Sequence, residues 1–71
     1  MKIQVESSTV NWIWYDANSK TVQVEFKRGK EPTIYEYYNV PEEVWKEFKN
    51  SDSIGKAVSL VLKGYEYKKI A

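Results

Sequence analysis

Hydrophobic and polar side chains alternate along the first half of the chain, and this period of two residues is typical of half-buried β-strands. In the clearest segment, 21–27, the residues Val22, Val24 and Phe26 share one side. Residues 2–6 alternate in the same way, and a high content of aromatic and β-branched residues favours further strands at 9–16 and 33–39. The pattern predicts a strongly bent antiparallel sheet of three to four strands, organised around a hairpin at 21–40.

Hydrophobic residues in the second half recur at helical spacing instead. A first helix is expected to begin at Pro41, which suits the first helical position, and to end near Asn50. A second helix is expected between the serine caps at 51–53 and Gly64. The apolar faces consist of Val44, Trp45 and Phe48 in the first helix and of Ile54, Ala57, Val58, Val61 and Leu62 in the second. We therefore predict an α+β fold with two C-terminal helices packed on one face of the sheet, and a tail that alternates like a last short strand.

The exposure of two tryptophans depends on the register of the hairpin that joins the second and third strands. If Asp16 pairs with Thr21, Trp12 and Trp14 lie outside the core. If Tyr15 pairs with Thr21 instead, both indoles enter the core, because a slip of one residue exchanges the faces of a strand. We favour the first register, since hairpin loops of four residues built on a type I turn are common.

The next strand carries tyrosines at alternate positions. Tyr35 and Tyr37 share one side, and Glu36 lies on the other. An unpaired buried carboxylate is costly, so we expect the two tyrosines to face the helices and Glu36 to face solvent.

The composition and charge of the chain limit the classes of function that we expect. A chain of 71 residues predicts a single domain over 1–71, and its net charge of +1 favours neither nucleic acid nor an acidic partner. The absence of Cys and His removes the commonest nucleophile–base pairs and zinc ligands. No apolar run is long enough for a membrane span or a signal peptide. We expect a cytoplasmic, soluble protein that is not an enzyme and needs no cofactor or metal.

Aromatic and basic residues together suggest a binding surface. Single-stranded RNA is bound by aromatic rings on which bases stack, beside Lys or Arg for the phosphates. The candidate contacts are Trp12, Trp14, Lys27, Arg28 and Lys30, with Tyr35 and Tyr37 supporting the site or packing beneath it. Two other interpretations stay open. An exposed Trp pair also fits a protein interface or self-association, and both indoles could instead belong to the core.

Several short motifs, in their order and spacing, resemble one known family. They are V-x-S-S-x-V-x-x-I-x-Y-D at 5–16, T-V-x-V-E-F at 21–26, Y-E-Y at 35–37, V-P-E-E-V-W at 40–45, S-x-G-K at 53–56 and Y-x-Y at 65–67. The chain is similar to KTSC domains, short modules found at the C-terminus of some lysyl-tRNA synthetases and as stand-alone small proteins.

The resemblance implies apolar residues at Ile13 and Tyr15, which favours the register that leaves Trp12 and Trp14 outside. Attachment to a tRNA synthetase implies RNA binding by association only. The chain departs from the family pattern after Lys56, where aromatics and an Asn are expected and residues 57–59 read Ala-Val-Ser. A ligand site built on those residues would be lost or changed here.

Overall fold

The computed structural model describes residues 2–27 and 30–71, which form one antiparallel sheet and two helices. The strands are β1 (Lys2–Gln4), β2 (Val10–Asp16), β3 (Thr21–Phe26), β4 (Thr33–Tyr37) and β5 (Tyr67–Lys69), and they lie side by side in chain order. The helices α1 (Glu42–Lys49) and α2 (Ile54–Leu60) fall between β4 and β5. The predicted α+β fold is confirmed. The sheet has five strands rather than three to four, because the N-terminal segment and the tail both pair at its edges.

The register of the β2–β3 hairpin is the one favoured from the sequence. Asp16 pairs with Thr21, and Tyr15 pairs with Val22. Ile13 and Tyr15 therefore lie in the core, while Trp12 and Trp14 lie on the opposite side of the sheet. Side chains directly opposite each other on neighbouring strands share a face, so this hairpin fixes the faces of the whole sheet.

Strand β2 contains a bulge at its start. Val10 pairs with Phe26 and Trp12 pairs with Glu25, which leaves Asn11 as an extra residue. In a regular strand, Val10 would share the side of Trp12. The bulge turns Val10 inward, where its side chain is fully buried.

Helix α1 packs on the core face of the sheet through aromatic contacts. The Trp45 ring of α1 stacks on Tyr15, with 5.2 Å between centroids and 11° between planes. Phe48, one turn further along α1, is fully buried. Pro41 is the N-cap of α1 rather than its first helical residue, with an extended ψ of 154°. The Tyr15 hydroxyl reaches the same connection and donates a hydrogen bond of 2.6 Å to the Val40 carbonyl.

Helix α2 has the Ser53 cap that the sequence predicts, but it ends at Leu60, with Val61 as its C-cap, rather than at Gly64. The Ser53 hydroxyl accepts a hydrogen bond from the Lys56 backbone N–H at 3.4 Å. Ile54 and Ala57 are buried against the core, and so is Leu62, just beyond the helix. Gly64 has a φ of +94°, a conformation that L-residues rarely adopt, and it turns the chain back towards β5. Within the described residues, no helix is long and apolar enough to cross a membrane.

We predict that Tyr15→Phe lowers the free energy of unfolding by about 1–3 kcal/mol at neutral pH, because the buried Val40 carbonyl loses its donor. Burial, followed by the charges of Glu42 and Asp16, raises the pKa of Tyr15 above 10.0. As the pH rises, the unfolded chain therefore loses the proton of the Tyr15 hydroxyl at a lower pH than the folded protein does. The stabilisation is fully present below pH 10.0 and decreases as the pH rises towards the higher pKa of the folded state.

Urea unfolding followed by circular dichroism at neutral and alkaline pH measures both effects. The loss of stability at alkaline pH should be smaller in Tyr15→Phe than in the wild type. A hydrogen bond from Tyr38 to Glu36 raises the pKa of Tyr38 as well, so Tyr38→Phe measures the separate contribution of that tyrosine to the alkaline loss. Equal alkaline slopes for Tyr15→Phe and the wild type would contradict this assignment.

A second prediction separates the three tryptophans. Trp45 is 4% exposed, whereas Trp12 and Trp14 are partly exposed. Trp45→Ala should cost about 3–5 kcal/mol in the free energy of unfolding, since it opens a cavity in the core. Trp12→Ala should cost about 1 kcal/mol. Urea titrations of both variants test this, and equal losses would show that Trp12 contributes as much to the core as Trp45.

Candidate functional site

The side of the sheet that faces away from the helices is formed by two rows of opposed side chains. We call it the outer sheet face. One row is Lys2, Trp14, Gln23, Glu36 and Lys68, and the other is Gln4, Trp12, Glu25 and Ile34. Both helices contribute to the core on the opposite side. In the described part of the chain, the outer sheet face therefore carries mainly the strands' own side chains.

Trp12 and Trp14 are neighbours at the centre of β2 and are partly exposed. Successive side chains on one face of a strand are separated by about 7 Å. The Lys2 Nζ lies 4.3 Å from the centroid of the Trp12 ring, which is a cation–π distance. Glu25 is the residue directly opposite Trp12 on β3. The two indoles thus form an apolar strip with a cation on one side and a carboxylate on the other.

Glu36 holds a polar cluster next to this strip. Its carboxylate accepts a hydrogen bond of 2.7 Å from the Gln23 side-chain amide and one of 2.9 Å from the Tyr38 hydroxyl. This carboxylate is tied to its neighbours within the sheet. Glu36 is not among the residues that line the two clefts described below.

The predicted basic residues of the β3–β4 turn have different surroundings. The Lys27 Nζ donates a hydrogen bond of 2.8 Å to the Ser7 carbonyl and so ties the turn to the β1–β2 connection. Lys30 is exposed. Arg28 lies outside the described residues, and its predicted contact stays a prediction. Of the two basic residues of this turn that the structure describes, Lys27 is therefore engaged in a hydrogen bond, and Lys30 has an exposed side chain without a hydrogen bond or ion pair.

Tyr35 and Tyr37 face the helices, as expected, and lie on the other side of the sheet from the two indoles. Tyr37 is 7% exposed, and Tyr35 is half-buried, edge-on to Phe26 at 5.6 Å between centroids. Both rings also contact Tyr67 of β5, each at 5.7 Å between centroids. The structure therefore separates the predicted site residues. The tryptophans form one surface, and the tyrosines pack beneath the sheet.

Two basic residues of the outer sheet face were missed by the sequence reasoning. Lys2 and Lys68 lie at the two ends of one row, opposite Trp14 and Glu36 respectively. Their positions follow from the pairing of β1 and β5 at the sheet edges. The alternation of both segments was visible in the sequence, but their neighbours in the sheet were not.

Clefts lined by described residues open on the helix side of the molecule, and two of them are large enough for a small ligand. The first, of about 400 Å³, lies between α1 and the β2–β3 turn, over Tyr15 and Trp45. The second, of about 370 Å³, lies between the end of α2 and β5. Among residues 2–27 and 30–71, no three acidic side chains come together as metal ligands would.

Comparisons with known proteins agree with this architecture. The family profile of the KTSC domain matches residues 6–68. An uncharacterized protein from Stutzerimonas stutzeri (strain A1501) is 30% identical over 67 residues, which is 94% of this chain and 90% of that protein. A crystal structure of a KTSC domain protein from Yersinia pestis superimposes with a TM-score of 0.85 at 29% identity, covering 100% of this chain and 97% of that one. The chain therefore belongs to the KTSC domain family.

Proposed function

We propose that this KTSC domain is a non-catalytic binding module whose outer sheet face binds single-stranded RNA. The observation that carries the proposal is the pair of partly exposed tryptophans on the side of the sheet away from both helices. Rings in this position offer stacking platforms for successive bases, as the aromatic residues of sheet-based RNA modules do. Binding of this kind tolerates many sequences, because every base has a π-face.

Exposed lysines around the tryptophans provide positive charge for the phosphates of the RNA. Lys2 and Lys68 are exposed at opposite edges of the outer sheet face, and Lys30 is exposed at the tip of the β3–β4 turn. The Glu36 carboxylate on the same face accepts hydrogen bonds from the Gln23 amide and the Tyr38 hydroxyl. The Lys2 Nζ lies over the Trp12 ring, so a base that stacks on that ring face displaces the ammonium group, which is then free to pair with a phosphate.

A protein partner, or a second copy of the domain, is the second candidate. The observation in its favour is Glu25, which lies directly opposite Trp12 and repels phosphate. The charges on the outer sheet face nearly balance, and Trp is enriched in the centres of protein interfaces. The two candidates differ in salt dependence, because only phosphate binding releases condensed counterions. A cytoplasmic location stays a prediction.

A titration of ¹⁵N-labelled protein with short single-stranded RNA tests the proposal. At low salt, the indole N–H signals of Trp12 and Trp14 should shift, and the apparent affinity should fall steeply as salt is raised. Trp12→Ala or Trp14→Ala should weaken binding about tenfold, since one stacked base contributes about 1–3 kcal/mol.

Leu60→Ala is the matched control, because Leu60 is a hydrophobic residue of α2 with 77% exposure and lies away from the outer sheet face. It should bind RNA like the wild type. Unchanged indole signals at millimolar RNA would overturn the RNA proposal. Concentration-dependent indole shifts without RNA, insensitive to salt, would instead support self-association.

The carboxylate of Glu25 provides a second test. Glu25→Gln removes a charge beside Trp12 and should strengthen RNA binding several-fold at low salt, with a smaller gain at high salt as screening sets in. Glu47→Gln, on the exposed side of α1, changes the net charge equally and serves as the control. Fluorescence anisotropy of labelled RNA measures both variants. Equal effects of the two substitutions would show that RNA does not approach Glu25.

A further inference from the structure

The second cleft lies on the helix side of the sheet and has a composition different from that of the outer sheet face. We call it the tyrosine cleft. Its lining includes Tyr37, Tyr65, Tyr67, Val58, Leu62 and Lys63. The volume of about 370 Å³ lies within the range of small-molecule sites. The two Y-x-Y motifs, far apart in the sequence, meet here because β4 pairs with β5.

Tyr67 is the exposed ring of this cleft. Its side chain is 63% exposed although it contacts two other rings. Tyr35 stacks on it with 14° between planes, and Tyr37 meets it at 36°. The Tyr67 ring is therefore held in place by its neighbours, while much of its surface stays open to solvent. A ring supported in this way is a platform for another flat aromatic group.

Two lysines supply positive charge on the side of the sheet that carries the Tyr67 ring. Lys63 lines the cleft and is exposed. Lys69 is exposed and follows Tyr67 by two residues on β5, so both side chains leave the strand on the same side. Neither Lys69 nor the acidic Glu66 is among the residues that line the cleft, but Lys69 shares the side of Tyr67 on β5 and Glu66 does not. The segment 56–71 carries four lysines against one glutamate, which makes this end of the chain basic.

The shape of the cleft depends on the turn after α2. Gly64 holds a φ of +94° there, and the Tyr65 backbone N–H donates a hydrogen bond of 3.3 Å to the Leu62 carbonyl. This turn brings Tyr65 and Lys63 into the lining of the cleft, together with the apolar side chains of Val58 and Leu62.

We propose that the tyrosine cleft binds a single nucleotide, with the base against Tyr67 and the phosphate at Lys63 and Lys69. The apolar wall and the ring fit the base, and the two lysines fit the phosphate. The same chemistry is present in a free mononucleotide and in the terminal nucleotide of an RNA strand. This proposal does not rest on RNA binding by the outer sheet face.

Titration of the full-length ¹⁵N-labelled protein with AMP, adenosine and inorganic phosphate tests the proposal. AMP should cause saturable shifts of the amides from Lys63 to Tyr67, with weaker binding of adenosine and of phosphate alone. Tyr67→Leu should weaken AMP binding about tenfold through the loss of stacking, and Tyr67→Phe should retain it.

Charge variants keep the test decisive if Tyr67→Leu disturbs β5. Lys63→Gln should weaken AMP binding several-fold and leave adenosine unaffected. Lys56→Gln, an equal change of charge on α2 at a residue outside the cleft lining, should bind AMP like the wild type. Equal weakening by both substitutions, or equal shifts with phosphate and with AMP, would overturn the proposal. So would the absence of saturable shifts at millimolar AMP.

The two sources of the nucleotide are separated by comparing AMP with a short RNA that carries a 5′-phosphate. Tighter binding of the RNA, read from the amides of Lys63 to Tyr67, would assign the cleft to a strand end, and equal binding at those amides would assign it to free nucleotides. Both results support the site. Shifts of the amides from Lys63 to Tyr67 report on the tyrosine cleft, and shifts of the Trp12 and Trp14 indoles report on the outer sheet face, so a failure of one site is distinguished from a failure of the other.

Discussion

The pairing of Asp16 with Thr21 determines which side chains reach the core and which reach a ligand. The loop between them is closed by the Asp16 carboxylate, which accepts hydrogen bonds from the Asn18 backbone N–H at 2.9 Å and from the Ser19 hydroxyl at 3.1 Å. Lys20 completes the turn with a φ of 55°. A slip of one residue would bring every inward side chain of β2 to the surface, so this polar turn stabilises one partition of the aromatic residues.

That partition gives the two sides of the sheet different properties. Tyr15 stacks on Trp45 and donates a hydrogen bond to the Val40 carbonyl, so one hydroxyl and one ring link the sheet to the first helix. The stacked rings help this small domain to form a core around the fully buried Phe48. Because both helices pack on the core face of the sheet, Trp12 and Trp14 stay partly exposed on the outer sheet face. The chemistry available for binding is therefore set by the fold.

The alternation and helical spacing predicted most of the architecture, because both periods describe which side of an element is apolar. They did not predict the bulge at Asn11, since a bulge depends on the backbone pairing of two strands and changes the face of Val10 without altering local composition. The two periods also did not indicate that Lys2, Lys68 and Tyr67 belong to the candidate sites. The alternation of an edge strand shows its two sides but not its neighbour, so these residues gained a role in the candidate sites only after the sheet order was known.

Photo-crosslinking of the wild-type protein to single-stranded RNA containing 4-thiouridine, with the adducts mapped by mass spectrometry, tests the central claim most directly. If the outer sheet face binds RNA, crosslinks should concentrate on the peptide that contains Trp12 and Trp14 and should disappear as salt is raised. Crosslinks confined to the helices, or adducts on Trp12 and Trp14 that persist unchanged at high salt, would contradict the assignment of this face to RNA.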